Sequence, residues 1–328
     1  VRRVFIKSFV FLTGVFAGLA LFVILNAAFF PDKPRIDFYM HHVSADKILG
    51  YELNKNFTGS GPDAIVINSQ GFRDREFSTA KNDGTKRILV LGDSITFALN
   101  IVEKEKVFTS KLEKLLNSGG LKTKYEVYNM GVNGYNTVQE ARNLKLNGLK
   151  YIPDIVITVY CLNDDAPVND IYYAVLFNKN KVNMWLMKSG IYRKIYFFVV
   201  YNIFNVKKEW NAAVFDGKYK NFNMHDAGFE MLDDLQKEYK FKHYVFIIPY
   251  LKDFKNYGDA GIHEKIMTVL KRYPDIRVFD LLGDFAKAVP DGKVLRNLVN
   301  DYCHPNEKGH ELIAYFMCDK LKEDGVLN

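Results

Sequence analysis

The chain has 328 residues, 48% of them hydrophobic and 25% charged, enough to build a full core in one large domain or two small ones. Its formal charge of +7 is mild, and the lysines and arginines are scattered rather than gathered in a block. That reads as a solvated surface, with a bias toward a membrane surface as the second choice, and it disfavours a nucleic-acid partner because no reader motif accompanies the charge. Three cysteines (Cys161, Cys303 and Cys318) without a CxxC exclude a regular disulfide framework and a thiolate zinc site, while leaving one pair free to bridge in an oxidising compartment.

In chain order, the first feature is an uncharged apolar run over 9–30, long enough to cross a bilayer as a helix. Arg2, Arg3 and Lys7 precede it, which points a cytoplasmic tail (1–7) inward and the rest outward. Residues 8–30 are read as a transmembrane anchor. A cleaved signal peptide is the alternative, although LNAAFF is a poor cleavage site. A lead-in over 31–84 follows, with PDKPR as a stiff exit and AIVINSQGFRDREF (64–77) as its clearest patch.

Strand-like runs at 87–91, 125–129, 154–160, 244–249 and 276–281 then alternate with helical periodicity at 105–117, 137–149, 227–239, 263–272 and 307–322. The alternation predicts a three-layer α/β/α domain over 85–328 built on a five-stranded, mostly parallel, flavodoxin-like sheet. The rhythm breaks at about 166–226, an insertion holding Trp185, Trp210 and the aromatic run IYRKIYFFVVYNIF. It reads either as a cap over a site or as a helix filling core.

Parallel sheets place reactive groups just past the carboxyl ends of their strands. The first strand ends Gly92-Asp93-Ser94, where glycine permits a sharp turn and the serine can be a nucleophile beside a base; Asp and Ser there are also ordinary helix caps. The second runs into NMGVNGYNT, with Gly131 and Gly134 as places of close backbone approach, and the third ends in Asn163 of VYCLNDD. Near the C-terminus DYCHPNEKGHEL sets Asp301 three residues before His304, a spacing at which the carboxylate can hold one ring nitrogen and leave the other as a base. Each signal alone has a bland reading as a turn or a cap. His41, His42 and His310 lack companions at ligand spacing and read as surface or helix residues.

Taken in order, these blocks resemble the SGNH hydrolase superfamily, also called the GDSL esterase/lipase family, over roughly residues 85–322. The resemblance matches Gly92-Asp93-Ser94, Gly134, the Asn163-Asp164 pair and Asp301-x-x-His304, and INSQGFRD looks like one bacterial subgroup. Two positions depart from the pattern: Ala98 and Cys161 stand where glycine is usual. The resemblance implies an esterase with a Ser94–His304–Asp301 triad. It also implies an oxyanion hole from the Ser94 and Gly134 N–H groups and the Asn163 amide, with no metal or organic cofactor. The expected substrate is an acyl ester on a carbohydrate or lipid of the cell envelope. An O-acyltransferase acting on a glycan and a catalytically silent surface-binding module are the alternatives. No G-x-S-x-G elbow or glycine-rich phosphate loop occurs.

Overall fold

A computed structural model describes residues 2–29, 40–59, 64–101, 103–118, 123–164, 181–186, 189–203, 211, 214 and 223–326. The elements used below are, in order, α1 (Arg2–Phe29), β1 (His41–Val43), β2 (Tyr51–Leu53), β3 (Thr85–Gly92), α2 (Ser94–Phe97), α3 (Phe108–Asn117) and β4 (Lys124–Asn129). Then come α4 (Thr137–Asn143), β5 (Ile155–Cys161), α5 (Lys181–Leu186), α6 (Gly190–Ile203), α7 (Met224–Tyr239) and β6 (Lys242–Ile248). The chain closes with α8 (Ala260–Leu270), β7 (Ile276–Asp280), α9 (Leu282–Ala288) and α10 (Glu307–Glu323).

β4-β3-β5-β6-β7 form one sheet, every neighbouring pair parallel. This is the expected flavodoxin-like order, with the chain reversing direction across the sheet between β3 and β5. Side chains alternate strictly between two covered faces. Leu89, Leu91, Val156, Tyr160, Val245 and Ile247 pack under α4, α7 and α8. Ile88, Val90, Ile157, Val159, Tyr244 and Phe246 pack under α3, α9 and α10. Because both faces are dry, these strands read as unbroken apolar runs rather than as alternation.

The helical pattern at 137–149 is divided. An Asn136–Gln139 capping box starts α4, which passes at Leu144 into a wider turn and then a tighter one, ending where Ile152 takes a left-handed conformation before Pro153. Trp210 and much of the 166–226 insertion lie outside the described residues; α5 and α6 are its described helices.

The lead-in packs on the sheet domain. Met40, Leu49, Tyr51, Leu53 and Ile67 share a buried cluster with Phe97, Val132 and Tyr135. Tyr51 donates its hydroxyl to the Asn133 carbonyl (2.6 Å), Tyr135 donates to the Tyr51 carbonyl (2.5 Å), and Gln139 donates to the Leu49 carbonyl (2.7 Å). The β1–β2 hairpin thus sits against the turn that holds Gly134.

α1 contains a stretch, Phe11–Phe29, long and apolar enough to cross a membrane, with a mean hydropathy of 2.2. Near its end Val23 and Ala27 are buried, and Ser189 donates its hydroxyl to the Asn26 side chain (2.8 Å).

Candidate active site

Ser94 is the first residue of α2, two residues past the end of β3, and is half-buried. The local fold that puts it there depends on two close approaches. A side chain at Gly92 would meet the Thr96 hydroxyl at 2.1 Å, and one at Gly131 would meet the Phe97 nitrogen at 2.3 Å. Both positions therefore require glycine for β3, α2 and the segment after β4 to stack. Met130 and Val132 continue the β4 pairing by donating to the Val90 and Gly92 carbonyls (2.9 and 3.1 Å). The Asn129 amide donates to the Thr96 carbonyl (2.7 Å), while its oxygen accepts from the Gly131 N–H (2.9 Å).

The cap expected of Asp93-Ser94 forms, and it leaves the Ser94 hydroxyl at the rim of the sheet. Asp93 caps α2 by accepting from the Ile95 N–H (2.9 Å) and also stands 3.2 Å from the Ser94 hydroxyl. Burial pushes its carboxyl above the ordinary value, against the pull of the Ile95 N–H and the His304 ring.

His304 reaches Ser94 from 210 residues away in sequence, its Nε2 lying 2.8 Å from Ser94 Oγ. Its Nδ1 lies 2.8 Å from both Asp301 carboxylate oxygens. An ionised Asp301 only accepts, so the ring proton sits on Nδ1 and Nε2 is left to accept from the serine hydroxyl. Asp301 is itself fixed by the N–H groups of Cys303 (3.3 Å) and His304 (3.2 Å). Burial works to raise the Asp301 carboxyl, but the ring bond and the two backbone bonds outweigh it and hold it below the usual range. The loop is held in place by the Leu251 N–H donating to the Tyr302 carbonyl (2.7 Å), and Asn306 caps α10 behind it by accepting from Gly309 (3.0 Å).

Gly134 and Asn163 sit at the same carboxyl edge, in the turns after β4 and β5. Gly134 has a left-handed φ of 72° and Asn163 is exposed to solvent. Its neighbour Asp164 closes that turn by accepting from the Cys161 N–H (2.8 Å). Ala98, the first departure from the glycine pattern, keeps a left-handed backbone (φ 63°) without being glycine. Cys161, the second, is buried at the end of β5.

Several residues of the site region were not singled out from the sequence. Arg73 is buried and donates to the carbonyls of Phe97 (2.9 Å), Ala98 (2.5 Å) and Ile101, clamping the segment that follows Ser94; burial pulls its pKa to about 10. Asp74, next to it, accepts from the Asn129 N–H (2.8 Å), and burial raises it to about 6. Their only sequence signal is the motif-like GFRD itself. Glu140 is buried in α4, its carboxyl raised well above the ordinary value first by burial and then by Asp93. His310, expected on the surface or in a helix, lies in α10 and is buried there. It accepts from the Phe108 N–H (3.3 Å) and is held neutral by burial, with a pKa of about 3. Among the described residues no group of three or more His, Cys, Asp or Glu is placed to hold a metal.

No protein-family model and no curated protein matches the sequence. Solved structures similar to this chain include the acetyl xylan esterase AlAXEase, at 16% identity and a TM-score of 0.43, covering 72% of this chain and 99% of that one. A lipase/acylhydrolase from Enterococcus faecalis is similar at 18% identity and a TM-score of 0.44, over 73% and 96% of the two chains. A two-domain esterase active on acetylated mannans is similar at 13% identity and 0.44, over 73% of this chain and 49% of that one. At such scores the functional reading rests on the site's own geometry.

Proposed function

We propose that this chain is a serine ester hydrolase in which Ser94 attacks the acyl carbonyl. His304 takes the serine proton and returns it to the leaving alcohol, and Asp301 holds the ring and stabilises the imidazolium. The observation that carries the reading is the unbroken series Ser94 Oγ–His304 Nε2 and His304 Nδ1–Asp301, each contact 2.8 Å. A mere cap or turn has no use for a histidine between a hydroxyl and a buried carboxylate. The N–H groups of Ser94 and Gly134 and the Asn163 amide receive the negative charge that forms on the carbonyl oxygen. Loss of one such donor costs roughly a hundred- to a thousand-fold in rate. Water then releases the acyl group, and none of these steps calls on a metal or organic cofactor.

In this reading 1–7 is a cytoplasmic tail, 8–30 an anchor and 31–84 a lead-in, and 85–328 is the catalytic domain outside the membrane, with 166–226 as its cap. The Ser189–Asn26 bond supports a cap that touches the anchor near its outer end. Such a site acts on esters of envelope carbohydrate or lipid. The test is the purified full chain in detergent, labelled with a fluorophosphonate and assayed on short- and long-chain model esters. Labelling and free-acid release that vanish in Ser94→Ala support the reading. Equal turnover in both proteins overturns it, and transfer of the acyl group to an added glycan in place of free acid turns it into an acyltransferase.

A further inference from the structure

Cys303 stands inside the proposed relay, between Asp301 and His304, and Cys161 ends β5 two residues before Asn163. Both are free thiols. Three independent features bring them together. Cys161 lies on the same sheet face as Ile157 and Val159, the face covered by α3 and α10, and the 301–306 loop leads into α10. Cys161 pairs in register with Ile248 of β6, and three residues past Ile248 the Leu251 N–H donates to Tyr302, the neighbour of Cys303. Finally, the two thiols are in side-chain hydrogen-bonding contact.

We propose that Cys161 and Cys303 are a disulfide site that clamps the Asp301–His304 loop to the end of β5. In an oxidising compartment a small disulfide such as glutathione disulfide suffices as oxidant. The partly exposed Cys303 attacks it first, forming a mixed disulfide and releasing one thiol. Cys161 then attacks the Cys303 sulfur and releases the second thiol. Two S–H bonds and the oxidant's S–S bond break, one new S–S bond and two oxidant thiols form, and the oxidant takes up the two electrons. The Cys303 contact, followed by burial, keeps the Cys161 thiol well above its ordinary pKa, so the second step is the slow one. The closed bond ties together parts of the chain more than a hundred residues apart, a long loop whose closure restricts the unfolded chain strongly.

The test uses the full chain in detergent, reduced, then exposed to glutathione disulfide, alkylated and mapped by mass spectrometry. The expected result is a Cys161–Cys303 cross-linked peptide with Cys318 alone alkylated, and an unfolding midpoint raised by about 5 °C or more over the reduced protein. Cys161→Ala, if it folds, should stop at the glutathione adduct on Cys303, while Cys318→Ser should cross-link like the parent. Separate adducts on Cys161 and Cys303 in the folded parent, or a cross-link with no rise in the midpoint, overturn the proposal. Because mapping needs no turnover, its failure is separable from failure of the hydrolase reading.

Discussion

The two ends of the parallel sheet handle buried polar groups in opposite ways. At the amino end Arg87 is fully buried and its guanidinium is held on both edge and face. It meets Glu126 (3.0 Å), the carbonyls of Tyr151 (2.5 Å) and Ala80 (2.9 Å), and the Tyr128 ring 5.0 Å away. Asp154 beside it takes the Arg87 N–H (2.6 Å) and the Lys81 ammonium (2.6 Å). At the carboxyl end the polar groups run in a single file, Asp301 to His304 to Ser94, and the last of them faces the rim half-buried. A closed network holds charge still; an open file lets a proton move. The contrast lies in connectivity, since both ends pair carboxylates with nitrogen side chains.

The sharpest way to break this contrast is to remove a member of the file. Ser94→Ala is expected to lower ester hydrolysis by about 10⁴-fold or more, and Asp301→Asn by about 10³- to 10⁴-fold because the wrong ring tautomer is then favoured. Ser94→Ala should unfold at nearly the parent's urea midpoint, while Asp301→Asn should unfold below it, because the carboxylate's favourable bonds are lost. A Ser94→Ala protein that loses stability and activity together would mean that the file is structural after all.

The closed network predicts the reverse. Arg87→Met leaves the Glu126 carboxylate and two carbonyls without their donor, so unfolding free energy should fall by about 3 kcal/mol or more. Turnover per folded molecule should stay within about twofold of the parent, measured below the lowered transition. A large loss of turnover in folded protein would show that the two ends are coupled.

The carboxyl edge was far more legible in the sequence than the amino edge. Strand ends are marked by glycine, and Ser94, Asp301 and His304 stand in motifs whose spacing carries their chemistry, so the file could be assembled before its geometry was seen. Arg87 sits at the start of a strand and looks like one more surface charge, because its partners Glu126 and Tyr151 are 39 and 64 residues away. The same reason hid the Arg73 clamp, the buried Glu140 and the meeting of Cys161 with Cys303. Local pattern fixes which way a strand's side chains point; it does not say what arrives from elsewhere in the chain. The change of turn at Leu144 within the helical stretch is hidden for a related reason: apolar periodicity survives a change in turn width that only the packing reveals.

A milder test keeps every reacting group and moves the backbone behind them. Gly131→Ala drives a methyl into the Phe97 nitrogen and the Thr96 carbonyl carbon (2.3 and 2.6 Å), backbone atoms of α2 that cannot swing aside. Turnover should drop by about a hundredfold as Ser94 shifts relative to His304. Gly283→Ala in α9 meets nothing within 4 Å and should leave turnover unchanged while stabilising the helix by about 0.5–1 kcal/mol. Equal, small effects from both substitutions would show that the close approach of β4's exit to α2 does not position the nucleophile.

The smallest expected effect is on stability against pH, and here the carboxyl edge contains opposing parts. Asp301 is held below its ordinary pKa, so the folded chain gives up this proton more readily than the unfolded one. Its contribution is complete above about pH 4, the unfolded carboxylate value, and is lost as pH falls through the lower folded value. Asp74 is raised by burial to about 6. Between about pH 4 and 6 the unfolded chain has released this proton while the folded chain still holds it. Stability therefore declines as pH rises through that window and levels off above it. Burial raises Asp93 and Glu140 as well, and they add in the same sense as Asp74. Urea midpoints from pH 3 to 8 should accordingly pass through a maximum on the acid side of neutrality, with a decline of the order of 1–3 kcal/mol above it. Asp74→Asn should flatten the decline between pH 4 and 6, because the amide has no proton to release. A decline of unchanged depth in that variant would assign it to Asp93, which stands 3.2 Å from the Ser94 hydroxyl, and to Glu140, which Asp93 influences.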